Sequence, residues 1–437
     1  TGVVRIGDLG VVLAQPVPGF ERVIEGTRLR TPVKIPLVWT LTGGQSLYFH
    51  AADTRSRAAA YAAAQNVALR VLACTPPGKL MFTLIDPIGQ GQNVASLLAL
   101  ADHDEQLINS KVWTDAKQIE RKLTDLTEHM ETVIQKYLRS DYASIDDYNR
   151  DAGEIAEAYR VVVVFDFPDS FTEGAARQLE RIVQNGARCG VFAVIVRDAA
   201  KRGSYGVEDS GIRKHTLVYE VKDGVFTEGQ VASKPHKEYA TLRVDGAPPD
   251  PIARLVVAAV GDKAKDALKV EVTFEKLLQQ AGLTARQVWS ESAVEGIRIP
   301  LGPGSARKTR YLELGVSLSV HALIIGRPGS GKSNLMHVVI TTAARMYAPS
   351  ELQLYLIDFK EGVEFKPYAE TSLASVPVVA IRSEREFGIS VLRKLDGMLK
   401  ERAEVFRSAG VSSFAEFRRQ AGATATLPRV LLVVDEF

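Results

Sequence analysis

Short runs of branched apolar residues that end in an aspartate recur along this chain at nearly constant spacing, which narrows the folds open to it more than any other feature. Leu84-Ile85-Asp86 and Leu356-Ile357-Asp358 lie 272 residues apart, and the run Val161 to Phe165 before Asp166 precedes the run Val430 to Val434 before Asp435 by 269. Within the copies the two aspartates are 80 and 77 residues apart. A third match opens each copy: Lys34-Ile35-Pro36-Leu37 leads to Ser46-Leu47-Tyr48-Phe49-His50, and Arg298-Ile299-Pro300-Leu301 leads to Ala322-Leu323-Ile324-Ile325-Gly326. Three matches in one order mark tandem copies of one domain. Short continuous Val, Ile and Leu runs bounded by turns are the pattern of parallel strands buried on both faces. Between them, apolar residues at steps of three and four, from Ile119 to Leu138 and from Val391 to Phe406, predict amphipathic helices docked on the sheet. The expected fold class is α/β, with tandem three-layer domains and mainly parallel sheets.

The predicted division is 1–28, the end of an upstream module or connector; 29–200, the first copy; 201–296, closing strands and a connector; and 297–437, the second copy. Residues 10–18 echo the strand and Pro-rich turn near residue 245, and a helix is expected from Pro251. A start at Thr1 and an end at Phe437, inside an apolar-acidic motif, suggest a piece of something longer. With 46% hydrophobic and 24% charged residues the chain is no low-complexity or disordered polymer. Its 54 basic and 52 acidic residues leave a net charge of +2, so any attraction to nucleic acid must be local. Cys74 and Cys189 supply neither a disulfide framework nor zinc-site spacing, which points to a reducing cytoplasmic interior. No apolar run approaches the roughly 18 residues of a membrane span.

The most specific motif is Gly326-Arg327-Pro328-Gly329-Ser330-Gly331-Lys332-Ser333, between an expected strand Ala322–Ile325 and an expected helix that opens at Asn334. Glycines let such a loop turn successive backbone N–H groups toward phosphate oxygens, and the helix N-terminus adds partial positive charge. Lys332 would reach the β- and γ-phosphates of ATP, and the Ser333 hydroxyl would ligate Mg²⁺. The strand ending in Asp435-Glu436 supplies the other half, with Asp435 holding Mg²⁺ and Glu436 polarising the attacking water as general base. The first copy lacks both parts. After Ser46–Phe49 comes His50-Ala51-Ala52-Asp53-Thr54-Arg55-Ser56-Arg57, without glycine and with an acid where a phosphate would sit, and Phe167 stands in the general-base position after Asp166. That copy is expected to be non-hydrolysing, with Arg55 and Arg57 facing water.

With these residues in view, the second copy resembles the FtsK/SpoIIIE group of P-loop ATPases. The resemblance covers roughly residues 296–437 and is carried by Gly326–Ser333, Leu356-Ile357-Asp358-Phe359-Lys360, Glu401-Arg402 with Phe406 and Gly410-Val411, and Leu427-Pro428-Arg429 running into Val433-Val434-Asp435-Glu436-Phe437. The first copy looks like a degenerate member, with Arg197-Asp198 where the family shows a Gln near the end of its sensor strand. The resemblance implies tandem RecA/ASCE-like domains, ATP and Mg²⁺ as cofactors, and a hexameric homo-oligomeric ring with ATP between subunits. Its cargo would be double-stranded DNA or, as in EccC/EssC-like proteins of type VII secretion, a polypeptide. A cytoplasmic protein tied to the inner face of a membrane through other regions or an anchored partner fits that picture. Lys360, Lys366, Arg382 and Arg385 are candidates for a pore lining. Against the motor stands the alternative of a nucleotide-dependent assembly or regulatory switch.

Overall fold

The computed structural model describes residues 3–11, 33–41, 43–139, 141–201, 207–228, 240–267, 271–283, 288–306, 308–316, 319–359, 364–371, 373–381, 385–422 and 427–436. The chain forms two compact units, Thr1–Val270 and Glu271–Phe437. The first runs β1 (Val3–Val11), β2 (Val33–Thr40), β3 (Ser46–Ala51), α1 (Thr54–Cys74), β4 (Leu80–Ile85), α2 (Ala95–Leu98), β5 (Val112–Trp113), α3 (Ala116–Val133), α4 (Ile145–Ala152), β6 (Tyr159–Phe167), α5 (Glu173–Asn185), β7 (Val191–Asp198), α6 (Ser210–Lys214), β8 (Thr216–Lys222), β9 (Val225–Glu228), β10 (Ala240–Val244) and α7 (Asp250–Ala267).

Seven of these strands form one sheet in the order β5-β4-β6-β7-β3-β8-β9. All neighbours are parallel except β8 and β9. Every residue from Val161 to Phe165 is fully buried, as a strand covered on both faces requires. Ala60, Ala64, Val67 and Val71 of α1 share an apolar cluster with Phe49, Val163, Phe165 and Val194. Helix α5 packs on β7 and beside α3, whose stripe Ile119, Leu123, Leu126, Met130 and Val133 is buried as expected. The fold is therefore the three-layer α/β arrangement, with β7 inserted between β3 and β6.

A three-stranded antiparallel sheet, β10-β1-β2, completes the unit. Strand β1 thus lies inside the first unit and is not the tail of a separate module, while the Pro-rich echo at residues 12–18 lies outside the described residues. The segment 201–296 is divided between the units, because β8 and β9 extend the seven-stranded sheet whereas the segment beyond Glu271 belongs to the second unit.

The second unit runs α8 (Phe274–Gln280), β11 (Ile297–Ser305), β12 (Lys308–Leu314), α9 (Lys332–Met346), β13 (Leu352–Asp358), α10 (Lys366–Thr371), β14 (Val378–Ala380), α11 (Arg385–Ala409), α12 (Phe414–Ala421) and β15 (Arg429–Asp435). Its parallel sheet has the order β14-β13-β15, repeating β5-β4-β6 of the first unit. Two expectations fail here. Ala322–Ile325 is not a strand, and Leu323 and Ile325 are 70% and 85% exposed. In the first unit the matching strand β3 is hydrogen-bonded by β7 and β8, and the described residues of the second unit contain no counterpart of either, so the segment has no ladder to join. The stripe of α11 is only half docked: Val391 is buried and Leu395 and Met398 pack on the cluster of Tyr355 and Ile357, whereas Leu392 and Leu399 are exposed.

Phe165 is fully buried, with its ring 5.2 Å from that of Tyr61. Truncating it to alanine is expected to destabilise the first unit by about 3–5 kcal/mol. Urea unfolding followed in single-tryptophan variants checks this: the transition reported by Trp39 should move, and that reported by Trp289 should not.

Candidate functional site

In the second unit the chain leaves the unpaired segment Ala322–Ile325 and turns through Gly326–Gly331 into α9. Gly329 and Gly331 have φ of 76° and 89°, a left-handed backbone that glycine adopts without cost. Residues 319–331 are exposed, and within the loop the Ser330 backbone N–H donates to Arg327 O at 3.1 Å. No side chain caps the N-terminus of α9 at Gly331. The loop leads onto the uncapped, positive end of a 15-residue helix, where an anion such as a triphosphate is favoured. The Lys332 ammonium lies against the loop's own carbonyls, donating to Gly326 O at 2.9 Å and Arg327 O at 3.4 Å. Arg327, Pro328, Ser330 and Asn334 complete the exposed rim of the loop and helix start.

The parallel register sets Asp358 at the end of β13 directly beside Asp435 at the end of β15, and both are buried. Lys332, Asp435 and Glu436 line one cavity of about 830 Å³, whose apolar wall includes Leu323, Ile324 and Leu432. In the first unit the equivalent space between the acidic strand and the loop strand is filled by β7. Glu436 has φ of 47°, so the chain leaves the sheet line at that residue. The structure therefore brings Lys332, at the end of the loop, and the Asp435-Glu436 pair onto one cavity. The set of a serine hydroxyl and a carboxylate beside phosphate oxygens matches the hard oxygen ligands that Mg²⁺ prefers.

Sequence reasoning missed one partner of this site. The Ser333 hydroxyl donates to Glu364 Oε1 at 2.9 Å, and the backbone N–H of Glu364 donates to Asp358 Oδ2 at 3.2 Å. Other motif residues brace β15. Arg402 donates to Pro428 O at 2.6 Å, and Arg429 donates to Ala293 O and Val294 O at 2.8 Å while its guanidinium sits 4.7 Å from the Phe414 ring centre. Phe406 packs against Phe417 with the ring centres 5.5 Å apart and the planes tilted by 44°. Among the pore candidates, Lys366 opens α10 within 3.7 Å of Glu370 and Arg385 opens α11, whereas Lys360 and Arg382 lie outside the described residues, as does Phe437.

The first unit answers the same positions differently. Asp53 caps α1, accepting from Ser56 N at 2.9 Å, Ser56 Oγ at 2.7 Å and Asp223 N at 3.3 Å. Arg57 does not face water but donates to Asp198 Oδ2 at 2.7 Å. The Tyr61 hydroxyl donates to Asp166 Oδ1, and the buried Asp166 Oδ2 has no hydrogen-bond partner among the described residues. Burial pushes the Asp166 carboxyl above the usual carboxylate range, against the lowering effect of Tyr61. Asp86 is fully buried and accepts from Gly89 N, Gly91 N, Asn93 N and Asn93 Nδ2 at 2.9–3.2 Å.

With the loop, the helix start and the Asp-Glu strand end in place, known proteins can be compared with them. The FtsK/SpoIIIE family model matches residues 285–434. The second unit is similar to that family over these residues. Among curated relatives, the ESX secretion system protein YukB of Bacillus subtilis is 26% identical over 172 residues, which is 38% of this chain and 11% of the relative. The ESX secretion system protein EccC of Thermomonospora curvata is 23% identical over 232 residues, 50% of this chain and 18% of the relative. The chain thus spans a small part of the length of these relatives. A solved structure of EssC ATPases 2 and 3 from Geobacillus thermodenitrificans aligns over 99% of this chain and 84% of that one, at 13% identity and a TM-score of 0.42. No helix among the described residues of this chain is long and apolar enough to cross a membrane.

The hydrogen bonds to Asp53, from the Ser56 backbone first and its hydroxyl second, hold that carboxyl at about 2 against an ordinary 3.8. A depressed carboxyl favours the folded state above its unfolded value, and that contribution is lost as pH falls from about 4 to about 2. Acid unfolding of Asp53→Asn should accordingly show a shallower pH dependence over this window than the parent chain. Equal slopes in circular dichroism titrations would contradict the assignment.

Proposed function

We propose that the second unit binds Mg²⁺–ATP at Gly326–Asn334 and hydrolyses it, and that the first unit is a non-hydrolysing partner domain. The observation that carries this reading is the convergence of Lys332, Asp435 and Glu436 on one cavity beside an uncapped helix start. Lys332 would leave the carbonyls of Gly326 and Arg327 for the β- and γ-phosphates, where a charge-assisted contact is worth roughly 1.5–3 kcal/mol. Ser333 and Asp435 would hold Mg²⁺, which supplies charge neutralisation at the phosphates. Glu436 would accept the proton of the attacking water.

The cargo we favour is a secreted polypeptide, moved by a homo-oligomeric ring, since the matching relatives are ESX secretion system proteins. The solved structure of the Thermomonospora curvata EccC ATPases 2 and 3 holds a signal sequence peptide, and it aligns with 75% of its length at 15% identity and a TM-score of 0.39. The near-neutral charge of this chain, +2 over 437 residues, fits a peptide better than a duplex, whose tracking needs a basic lining. A nucleotide-operated switch without translocation is the competing reading. Association with a membrane through regions outside this sequence or through an anchored partner belongs to the same proposal.

Lys332→Ala should weaken ATP binding by about tenfold or more, measured with a fluorescent ATP analogue. Glu436→Gln should keep binding and lose roughly 10²- to 10⁴-fold in turnover. Turnover stimulated by duplex DNA rather than by a secretion-signal peptide would overturn the choice of cargo. ATP bound without any turnover would favour the switch.

A further inference from the structure

We infer that Glu364 is a positioning residue for the Mg²⁺ ligand Ser333, a step that rests on the nucleotide-binding reading above. A serine hydroxyl carries one proton and two lone pairs. When its oxygen ligates a cation it offers a lone pair, and the proton must be taken up by an acceptor on the far side. Glu364 Oε1 accepts that proton at 2.9 Å. An anionic acceptor also enriches the oxygen as a ligand, as partners of metal ligands commonly do.

Glu364 is itself fixed from two further directions. Its backbone N–H donates to the buried Asp358, whose strand position is in register with Asp435. Its second carboxylate oxygen lies 3.5 Å from His337 Nε2. His337 Nδ1 in turn lies 2.7 Å from the Tyr368 hydroxyl, on α10. Ser333 and His337 are four residues apart on α9 and so share a face, which lets one carboxylate meet both. The first unit, which has no phosphate-type loop, carries no carboxylate in the corresponding stretch Gly91-Gln92-Asn93, where Asn93 instead serves Asp86. The carboxylate accompanies the serine that needs it.

The test is binding of a fluorescent ATP analogue to the 437-residue chain in excess Mg²⁺ and in EDTA, with Mn²⁺ electron paramagnetic resonance as a direct view of the bound ion. The parent chain should bind more tightly with Mg²⁺. Glu364→Ala should lose roughly 10- to 100-fold of that metal-dependent gain and keep its affinity in EDTA. Glu364→Gln, whose amide oxygen still accepts from the hydroxyl, should recover part of it. An alanine variant with the parent's full gain, or one weakened equally with and without metal, would overturn the inference. Thermal melting checks folding, and should the alanine variant not fold, a parent-like gain in the glutamine variant overturns it equally. If the parent itself binds no nucleotide, the functional reading fails first.

Discussion

Strand adjacency is the constraint on which both sites depend. A phosphate-type loop sits where its preceding strand puts it, and that strand sits where its neighbours' backbone groups satisfy it. In the first unit β7 fills the interval between β6 and β3, so the acidic strand end and the start of α1 are held at a fixed separation by continuous ladders. In the second unit β13 and β15 are locked in register down to the Asp358–Asp435 pair, yet the residues ahead of the loop make no strand pairing. The acidic half of that site is built into a sheet. The loop half is attached through α9, whose Ile340 and Ala343 are fully buried in the same cluster as Leu354 and Leu356, and through the Ser333–Glu364 bond.

Much of this was legible in the sequence, for an identifiable reason. Strands buried on both faces must be apolar along their whole length, so Val161–Phe165 and Val430–Val434 announced themselves, and their common order in the two sheets follows from the repeat. The loop motif was legible because its left-handed backbone at Gly329 and Gly331 favours glycine. Pairing was not legible: Ala322–Ile325 has the composition of a strand, but a strand is defined by its neighbours, and periodicity says nothing about whether they are present. The Ser333–Glu364 and Tyr61–Asp166 bonds join residues 31 and 105 positions apart. No local pattern encodes contacts of that range, since they arise only when helix and strand ends are brought together. Half of the α11 stripe was misread for a related reason, because a periodic apolar face specifies a need for cover without naming what supplies it.

The two units answer one electrostatic demand in opposite ways. A helix start presents unsatisfied N–H groups and partial positive charge, and something negative must face it or water must. At α1 the chain supplies its own anion, Asp53, bonded to two groups of Ser56 and tied to the turn at Asp223. Such a cap is permanently present and places a like charge where an incoming phosphate would lie. At α9 there is no capping side chain, and Lys332 and Ser333 are held only by contacts they can exchange, with two carbonyls and one carboxylate. Such hydrogen bonds each contribute only about 1 kcal/mol net, since each trades against an alternative partner. An internal carboxylate occupies the first helix start, whereas the second is met by exchangeable hydrogen bonds, so the two units differ in the few side chains at the first turn of a helix.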